Sequence, residues 1–171
     1  DQRCNMRKPF ENDLYIISDS VEVLIQAVID GAAIIQLRDK SADAAIIQDR
    51  AKRIIAHKNK QPFVFILNDD PDLAVKLGAD GVHVGQDMST REARKIIGDK
   101  LILGKTTHNL EQGRQAIIDG ADYISVGPVY PTPTKPGRPA VGLEYIREAS
   151  ANLDIPFVAI GGIDLSNIDA V

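Results

Sequence analysis

The sequence contains no tryptophan, one cysteine, three histidines and only 5% aromatic residues. Each scarcity removes a class of protein. With Cys4 as the sole thiol, no intramolecular disulfide can form and no Cys–Cys zinc pair exists, so a reducing, cytoplasmic setting fits. The histidines do not cluster, and nothing suggests a zinc site. No apolar run approaches the roughly 18 residues that span a bilayer. The opening Asp1-Gln2-Arg3-Cys4-Asn5-Met6 lacks the apolar core of a signal peptide. Residues 1–13 read as a polar leader, with Met6 a candidate native start. Positive charge is also in deficit: a net charge of −4 and a pI near 5.3 argue against general affinity for nucleic acid or anionic membrane. Any cationic site must be local.

What is present is an ordinary globular composition, 44% hydrophobic and 26% charged over 171 residues, one domain's worth. Short β-branched runs alternate with longer spans of helical period, the pattern of repeated βα units on a parallel sheet. Strands are expected at 14–17, 33–37, 63–67, 81–84, 101–103, 123–126 and 156–160. Helices are expected at 21–30, 42–57, 71–77, 89–97, 110–119 and 143–152, with a seventh at 165–171. Gly31, Gly78, Gly98 and Gly120 stand where helices should stop. Asp30-Gly31-Ala32, Gly78-Ala79-Asp80-Gly81 and Asp119-Gly120-Ala121-Asp122 recur at one point of the unit, which favours a quasi-repeated barrel over the alternative, a doubly wound sheet. The expected fold is α/β, a (β/α)8 TIM barrel over residues 14–171 as a single domain, C-terminally incomplete, with its eighth βα unit missing from this chain.

The segment from Asp122 to Glu144 contains a short strand, Gly127-Pro128, and then Pro131-Thr132-Pro133-Thr134-Lys135-Pro136-Gly137-Arg138. Connections in compact domains usually take about 4–6 residues, and longer ones tend to be binding loops or lids. Thr132 and Thr134 offer hydroxyls, Lys135 and Arg138 offer charge, and the prolines reduce the entropy lost on closing over an anion. The plain alternative is a stiff surface loop.

In such barrels the site lies at the C-terminal ends of the strands. Gln36, Arg38 and Lys40 are spaced two apart, so an extended chain points all three one way, towards a phosphate or pyrophosphate unless the charges are merely solvated. Asp69 and Asp87 end adjacent strands and could share Mg²⁺, although Asp70 and Asp87 also precede helices where carboxylates cap. His83 should face the interior as a hydrogen-bonded core residue. Thr106 and Thr107 could bind phosphate oxygens or cap a helix, and the glycines of Ile160-Gly161-Gly162 let backbone N–H groups approach a phosphate. Two anion regions with a metal between them suggest group transfer.

Together these motifs resemble the thiamine phosphate synthase family. The match runs from about Leu14 to the C-terminus through Gln36-Leu37-Arg38-Asp39-Lys40, Asn68-Asp69-Asp70, Gly78-Ala79-Asp80-Gly81-Val82-His83-Val84-Gly85-Gln86, Gly127-Pro128-Val129-Tyr130-Pro131-Thr132-Pro133-Thr134-Lys135 and Ala159-Ile160-Gly161-Gly162-Ile163. The resemblance implies a (β/α)8 barrel that joins hydroxymethylpyrimidine pyrophosphate to a thiazole phosphate with Mg²⁺, pyrophosphate leaving before the thiazole nitrogen captures the carbocation. It implies that Gln36, Arg38, Lys40, Asn68, Thr106 and Lys135 hold the pyrimidine pyrophosphate, with Arg38, Lys40 and Lys135 stabilising the departing charge. Asp69 and Asp87 would hold Mg²⁺, and Thr132, Thr134 and Gly162 the thiazole phosphate. The chain departs from the family at Gly104-Lys105-Thr106, commonly Gly-Val-Ser, and the turn at Gln86-Asp87-Met88 is one residue shorter.

Two rivals remain. A thiazole tautomerase on the same barrel would use a histidine at His108, and a non-catalytic binder of phosphorylated ligands would use the same cavity without turnover. The expected partners are small-molecule substrates and neither nucleic acid nor membrane, with a homo-oligomer and fusion to other domains left open.

Overall fold

Short apolar runs become strands here because the central ones are buried on both faces and the first and last are half-buried, and the amphipathic spans between them become helices because their apolar stripe finds the outside of the sheet. The computed structural model describes residues 14–132 and 139–171. In chain order these form β1 (Tyr15–Ser18), α1 (Val21–Ile29), β2 (Ile34–Leu37), α2 (Ala44–His57), β3 (Val64–Asn68), α3 (Pro71–Leu77) and β4 (Gly81–Val84). There follow α4 (Thr90–Ile97), β5 (Ile102–Thr107), α5 (Leu110–Ile118), β6 (Tyr123–Val126), α6 (Gly142–Asn152), β7 (Phe157–Ala159) and a 3₁₀ turn (Ile168–Ala170). Helix starts are set locally. Ser20, Asp43, Asp70, Ser89 and Asn109 each accept a hydrogen bond from the backbone N–H three residues on. Gly78 and Gly98, at φ 71° and 63°, end α3 and α4 in a conformation other residues resist.

The strands pair in parallel in the order β1-β2-β3-β4-β5-β6-β7. A doubly wound sheet would reverse its strand order part-way, and this one does not. Its inward face carries Ile34, Ile66, Ile102 and Tyr123, with Tyr15, Val64 and Val158 packed against them. Its outward face carries Ile35, Leu37, Phe65, Leu67, Val82 and Leu103 beneath the helices, and Ile124 and Val126 pack against Tyr145 and Ala149 of α6. Tyr15 and Ile17 of β1 line the same cavity as Val158 and Ile160 at β7. The sheet therefore curls into a nearly closed barrel.

The recurring Asp and Gly-Ala phrases have a physical basis at the barrel's lower end. Ala32, Ala79 and Ala121 N–H groups each close onto the carbonyl five residues back. Asp80 and Asp122 then accept from the N–H groups of Phe65 and Leu103, tying each unit to the strand before it.

Two expectations need correction. Strand β5 runs to Thr107 rather than stopping at 103, so Thr106 and Thr107 are sheet residues and Asn109 is the helix cap. The helix expected at 165–171 is a single 3₁₀ turn. There Asp164 accepts from the Ser166 N–H at 2.8 Å and Asn167 accepts from the Asp164 N–H at 2.9 Å, so local side-chain bonds satisfy backbone groups that a helix would have used.

Candidate active site

Alternation along the strands sends polar side chains from β2 to β6 inward, with Val158 and Ile160 at β7, and together they line a cavity of about 500 Å³. Gln36, Arg38, Asn68 and Thr106 line one part of it, and Thr132 and Gly162 another. Lys40 does not line this cavity. Its ammonium lies 3.4 Å from Asp69 Oδ2 with the side chain 57% exposed, so it stands at the edge of the acidic pair.

Asp69 is built into that edge. At φ 62° it is the one non-glycine residue described with positive φ, a conformation that costs about 1–2 kcal/mol for most side chains and less for Asp or Asn. Asn68 Nδ2 donates to Asp69 Oδ2 at 2.6 Å, and the Gly85 N–H donates to Asp69 Oδ1 at 3.2 Å. A methyl group placed on Gly85 would collide with Asp87 Oδ1 and lie 3.7 Å from Asp69 Oδ1, so both carboxylates face one small space. Ser89, not Asp87, caps α4, while Asp70 caps α3. Two carboxylates facing one space are hard oxygen donors of the kind that fit Mg²⁺, which takes few protein ligands and keeps several waters.

The cavity floor is a line of polar groups. Gln36 Nε2 lies 2.7 Å from the Tyr15 hydroxyl, and Tyr15 and Tyr123 hydroxyls lie 2.9 Å apart. His83 bonds Tyr123 through Nδ1 and Thr106 through Nε2, each at 2.9 Å. Burial pushes both tyrosine pKa values well above the usual phenol range, so both hydroxyls stay protonated at neutral pH. They are hydrogen-bonding groups, not bases.

Gly161 and Gly162, at φ 101° and 67°, bring backbone against the cavity, and a Cβ on Gly162 would lie 2.7 Å from the Pro131 carbonyl oxygen. Thr134, Lys135 and Arg138 lie outside the described residues. Thr107 turns away from the cavity, bonding Ser125 O at 3.0 Å and the Tyr145 hydroxyl at 2.6 Å. His108 also lies off the cavity wall, its Nδ1 2.5 Å from the Gly127 carbonyl. Lys105 points to the outer face of β5, and its buried ammonium donates to Gly85 O and Met88 O at 2.6 and 2.7 Å.

The family model described as thiamine monophosphate synthase matches residues 12–171. The chain belongs to the thiamine monophosphate synthase family. It is 44% identical over 163 residues to the thiamine-phosphate synthase of Gloeobacter violaceus, which covers 92% of this chain and 48% of that protein. It is 48% identical over 148 residues to the thiamine-phosphate synthase of Thermus thermophilus, covering 85% of this chain and 71% of that protein. The chain thus spans about half the length of the Gloeobacter relative. A solved structure of thiamine phosphate pyrophosphorylase from Pyrococcus furiosus superposes with a TM-score of 0.84 at 34% identity, over 95% of this chain and 80% of that one.

For a thiamine monophosphate synthase family member, the floor was the part sequence reasoning missed. From sequence, Tyr15, Tyr123 and Ser125 are strand residues and nothing more. One signal was available: Tyr123 and Ser125 sit two apart on a fully buried strand, which places both polar tips on one face.

Proposed function

We propose that the chain is a transferase that joins hydroxymethylpyrimidine pyrophosphate to thiazole phosphate, giving thiamine phosphate and pyrophosphate. The observation that carries the reading is a single cavity lined by Arg38, Asn68 and Thr106 and also by Thr132 and Gly162, with the Asp69–Asp87 pair beside Asn68. That arrangement suits two phosphorylated ligands meeting in one space.

In this reading Gln36, Arg38, Lys40, Asn68, Thr106 and Lys135 hold the pyrimidine pyrophosphate, and Thr132, Thr134 and Gly162 hold the thiazole phosphate. The bond from the pyrimidine methylene carbon to the pyrophosphate oxygen breaks, and its electron pair leaves with pyrophosphate. Arg38, Lys40 and Lys135 stabilise that charge in a site partly shielded from water. The thiazole nitrogen then forms the new carbon–nitrogen bond with its own lone pair, so no general base is needed and positioning does most of the rest. Asp69 and Asp87 would hold Mg²⁺, which supplies further charge neutralisation on the pyrophosphate. The single cysteine supports a reducing, cytoplasmic setting, and among the described residues no helix is long and apolar enough to cross a membrane.

The tautomerase reading is disfavoured because His108 is held by the Gly127 carbonyl and does not line the cavity. The deciding experiment is thiamine phosphate formation by this 171-residue chain from both substrates, with Mg²⁺ and then with excess chelator. Mg²⁺-dependent product is expected. Bound pyrimidine pyrophosphate without product would favour the non-catalytic binder.

A further inference from the structure

Arg38 and Lys40 bring positive charge to the end of β2, and a carboxylate, Asp39, stands between them in the chain. Alternation turns Asp39 away from the cavity that Arg38 lines. Both of its oxygens are then taken. Oδ1 accepts from the Ser41 hydroxyl at 2.6 Å, the Ser41 N–H at 2.7 Å and the Ala42 N–H at 3.1 Å. Oδ2 accepts from Arg50 Nη1 at 2.6 Å. The Ser41 bonds, and then Arg50, hold the Asp39 carboxyl well below the usual carboxylate range, so it is an anion at neutral pH.

The Oδ1 partners are local, a turn that Asp or Asn makes with its own backbone. Arg50 is not local. It comes from the second turn of α2, and the same nitrogen donates to the Asp19 carbonyl at 3.2 Å. Asp19 lines the cavity, and the Arg38 N–H bonds Ser18 O at 2.9 Å, so one guanidinium joins the chain leaving β1 to the chain leaving β2. Among the described residues no hydrogen bond or ion pair engages the Arg38 side chain, although a carboxylate is its neighbour. Arg53, one turn further along α2, makes a different contact: it pairs with Glu22 at the start of α1, both side chains exposed.

We propose that Arg50 is a positioning residue that neutralises Asp39 and pins it on the helix side of β2, leaving Arg38 its full charge for an anion in the cavity. Without Arg50, Oδ2 is an uncompensated charge one residue from Arg38, and it cancels part of that cation's pull on a phosphate. That the anion is the pyrophosphate of the pyrimidine substrate rests on the function proposed above; the pinning of Asp39 does not.

The test measures binding of inorganic pyrophosphate to the 171-residue chain by calorimetry, with Mg²⁺ present. Arg50→Met should weaken it about tenfold. Arg50→Gln serves if that variant does not fold. Arg50→Lys should recover most of the loss, since an ammonium also neutralises Asp39. Asp39→Asn added to Arg50→Met should bring affinity to within about threefold of wild type, because Asn still accepts from Ser41 and Ala42 and carries no charge. A helix contact that served only the fold would not be rescued this way. Arg53→Met, the same charge lost from the same helix, should change affinity less than about twofold. Wild-type affinity in Arg50→Met, a double variant no tighter than Arg50→Met, or an equal loss in Arg53→Met each overturns the proposal. A second arm needs no ligand. In ¹H–¹⁵N spectra of the chain labelled with ¹⁵N-arginine, Arg50 should show separate Nη signals, as a held guanidinium does, and Arg38 one averaged signal. A restrained Arg38 or a freely turning Arg50 overturns the pinning. A wild-type chain that gives the expected spectra and binds no pyrophosphate overturns the substrate reading instead.

Discussion

The Lys105 ammonium donates to the Gly85 carbonyl at 2.6 Å, reaching from the outer face of β5 into the turn that carries Asp87. Its second bond, to Met88 O, closes that turn from the other end. Gln86 Nε2 also bonds the Thr106 carbonyl, so the turn is fastened to β5 along its length. Burial lowers the Lys105 pKa below the usual lysine range, with Asp87, Asp119 and Asp69 opposing the shift. The folded chain therefore loses this proton at lower pH than the unfolded chain. As pH rises through the folded value towards the unfolded one, the stability this group contributes rises. A neutral amine still has two N–H donors for its two carbonyls. Lys105→Met should cost about 1–3 kcal/mol by stranding both carbonyls. The wild type's advantage over Lys105→Met, measured by urea unfolding, should grow as pH rises through the alkaline range towards about 10.5, the ordinary lysine value. A difference that stays flat over that range would contradict this account.

Asp69 and Asp87 should separate by backbone conformation. Asn tolerates positive φ nearly as well as Asp, so Asp69→Asn should keep its fold while losing cation affinity, and Asp69→Ala should lose about 1 kcal/mol more in stability. Both Asp69→Asn and Asp87→Asn should raise the Mg²⁺ concentration for half-maximal product formation about tenfold or more. Calorimetric Mn²⁺ titration gives the same comparison without turnover. Unchanged affinity in Asp87→Asn would remove it from the ligand set.

Lys135 enters through its charge, which the function proposed above spends on the departing pyrophosphate. Interactions made only as a bond breaks lower turnover when they are removed, whereas interactions present in the bound substrate lower affinity. Lys135→Ala should therefore reduce kcat more than it raises the KM for the pyrimidine substrate. An unchanged kcat would assign Lys135 to binding alone.

Much of this barrel was legible because its signals are local. Ser20, Asp43, Asp70, Ser89 and Asn109 each state a helix start within three residues, and left-handed glycines state the ends. Alternation places Gln36 and Arg38 on the cavity side, while Asn68 and Thr106 stand at or beyond the expected strand ends and take their site role from the resemblance. Register across strands was not legible. That Gly104 would lie between His83 and Tyr123, or that Lys105 would reach back to Gly85, depends on pairings that no short window contains. The 165–171 segment failed for the opposite reason, since Asp164, Ser166 and Asn167 bond one another more locally than the apolar period could register.

The lower end of the barrel should matter for stability and not for chemistry. Arg94 donates to the carbonyls of Gly98, Leu101 and Gly120, and its guanidinium lies 2.5 Å from Asp122. Arg94→Met keeps the apolar stem and strands these acceptors, at a cost of about 3 kcal/mol. At a temperature where the variant remains folded, its KM for either substrate should equal the wild type's. A changed KM would mean that this end of the barrel communicates with the cavity.

Gly162 should behave in the reverse way, affecting one ligand more than the fold. Its φ of 67° disfavours any side chain, and a Cβ would lie 2.7 Å from Pro131 O and 2.8 Å from Tyr130 Cβ. Both neighbours belong to the segment that carries Thr132 into the cavity. Gly162→Ala must therefore displace that segment, at a cost of about 1–3 kcal/mol. Gln36, Arg38 and Asn68 stand on other strands and need not move. The KM for thiazole phosphate should rise about tenfold, while the KM for the pyrimidine pyrophosphate changes less than threefold, within the range of small binding losses. Steady-state kinetics with each substrate varied in turn separates the two. Equal effects on both would mean that the two halves of the cavity do not serve different ligands.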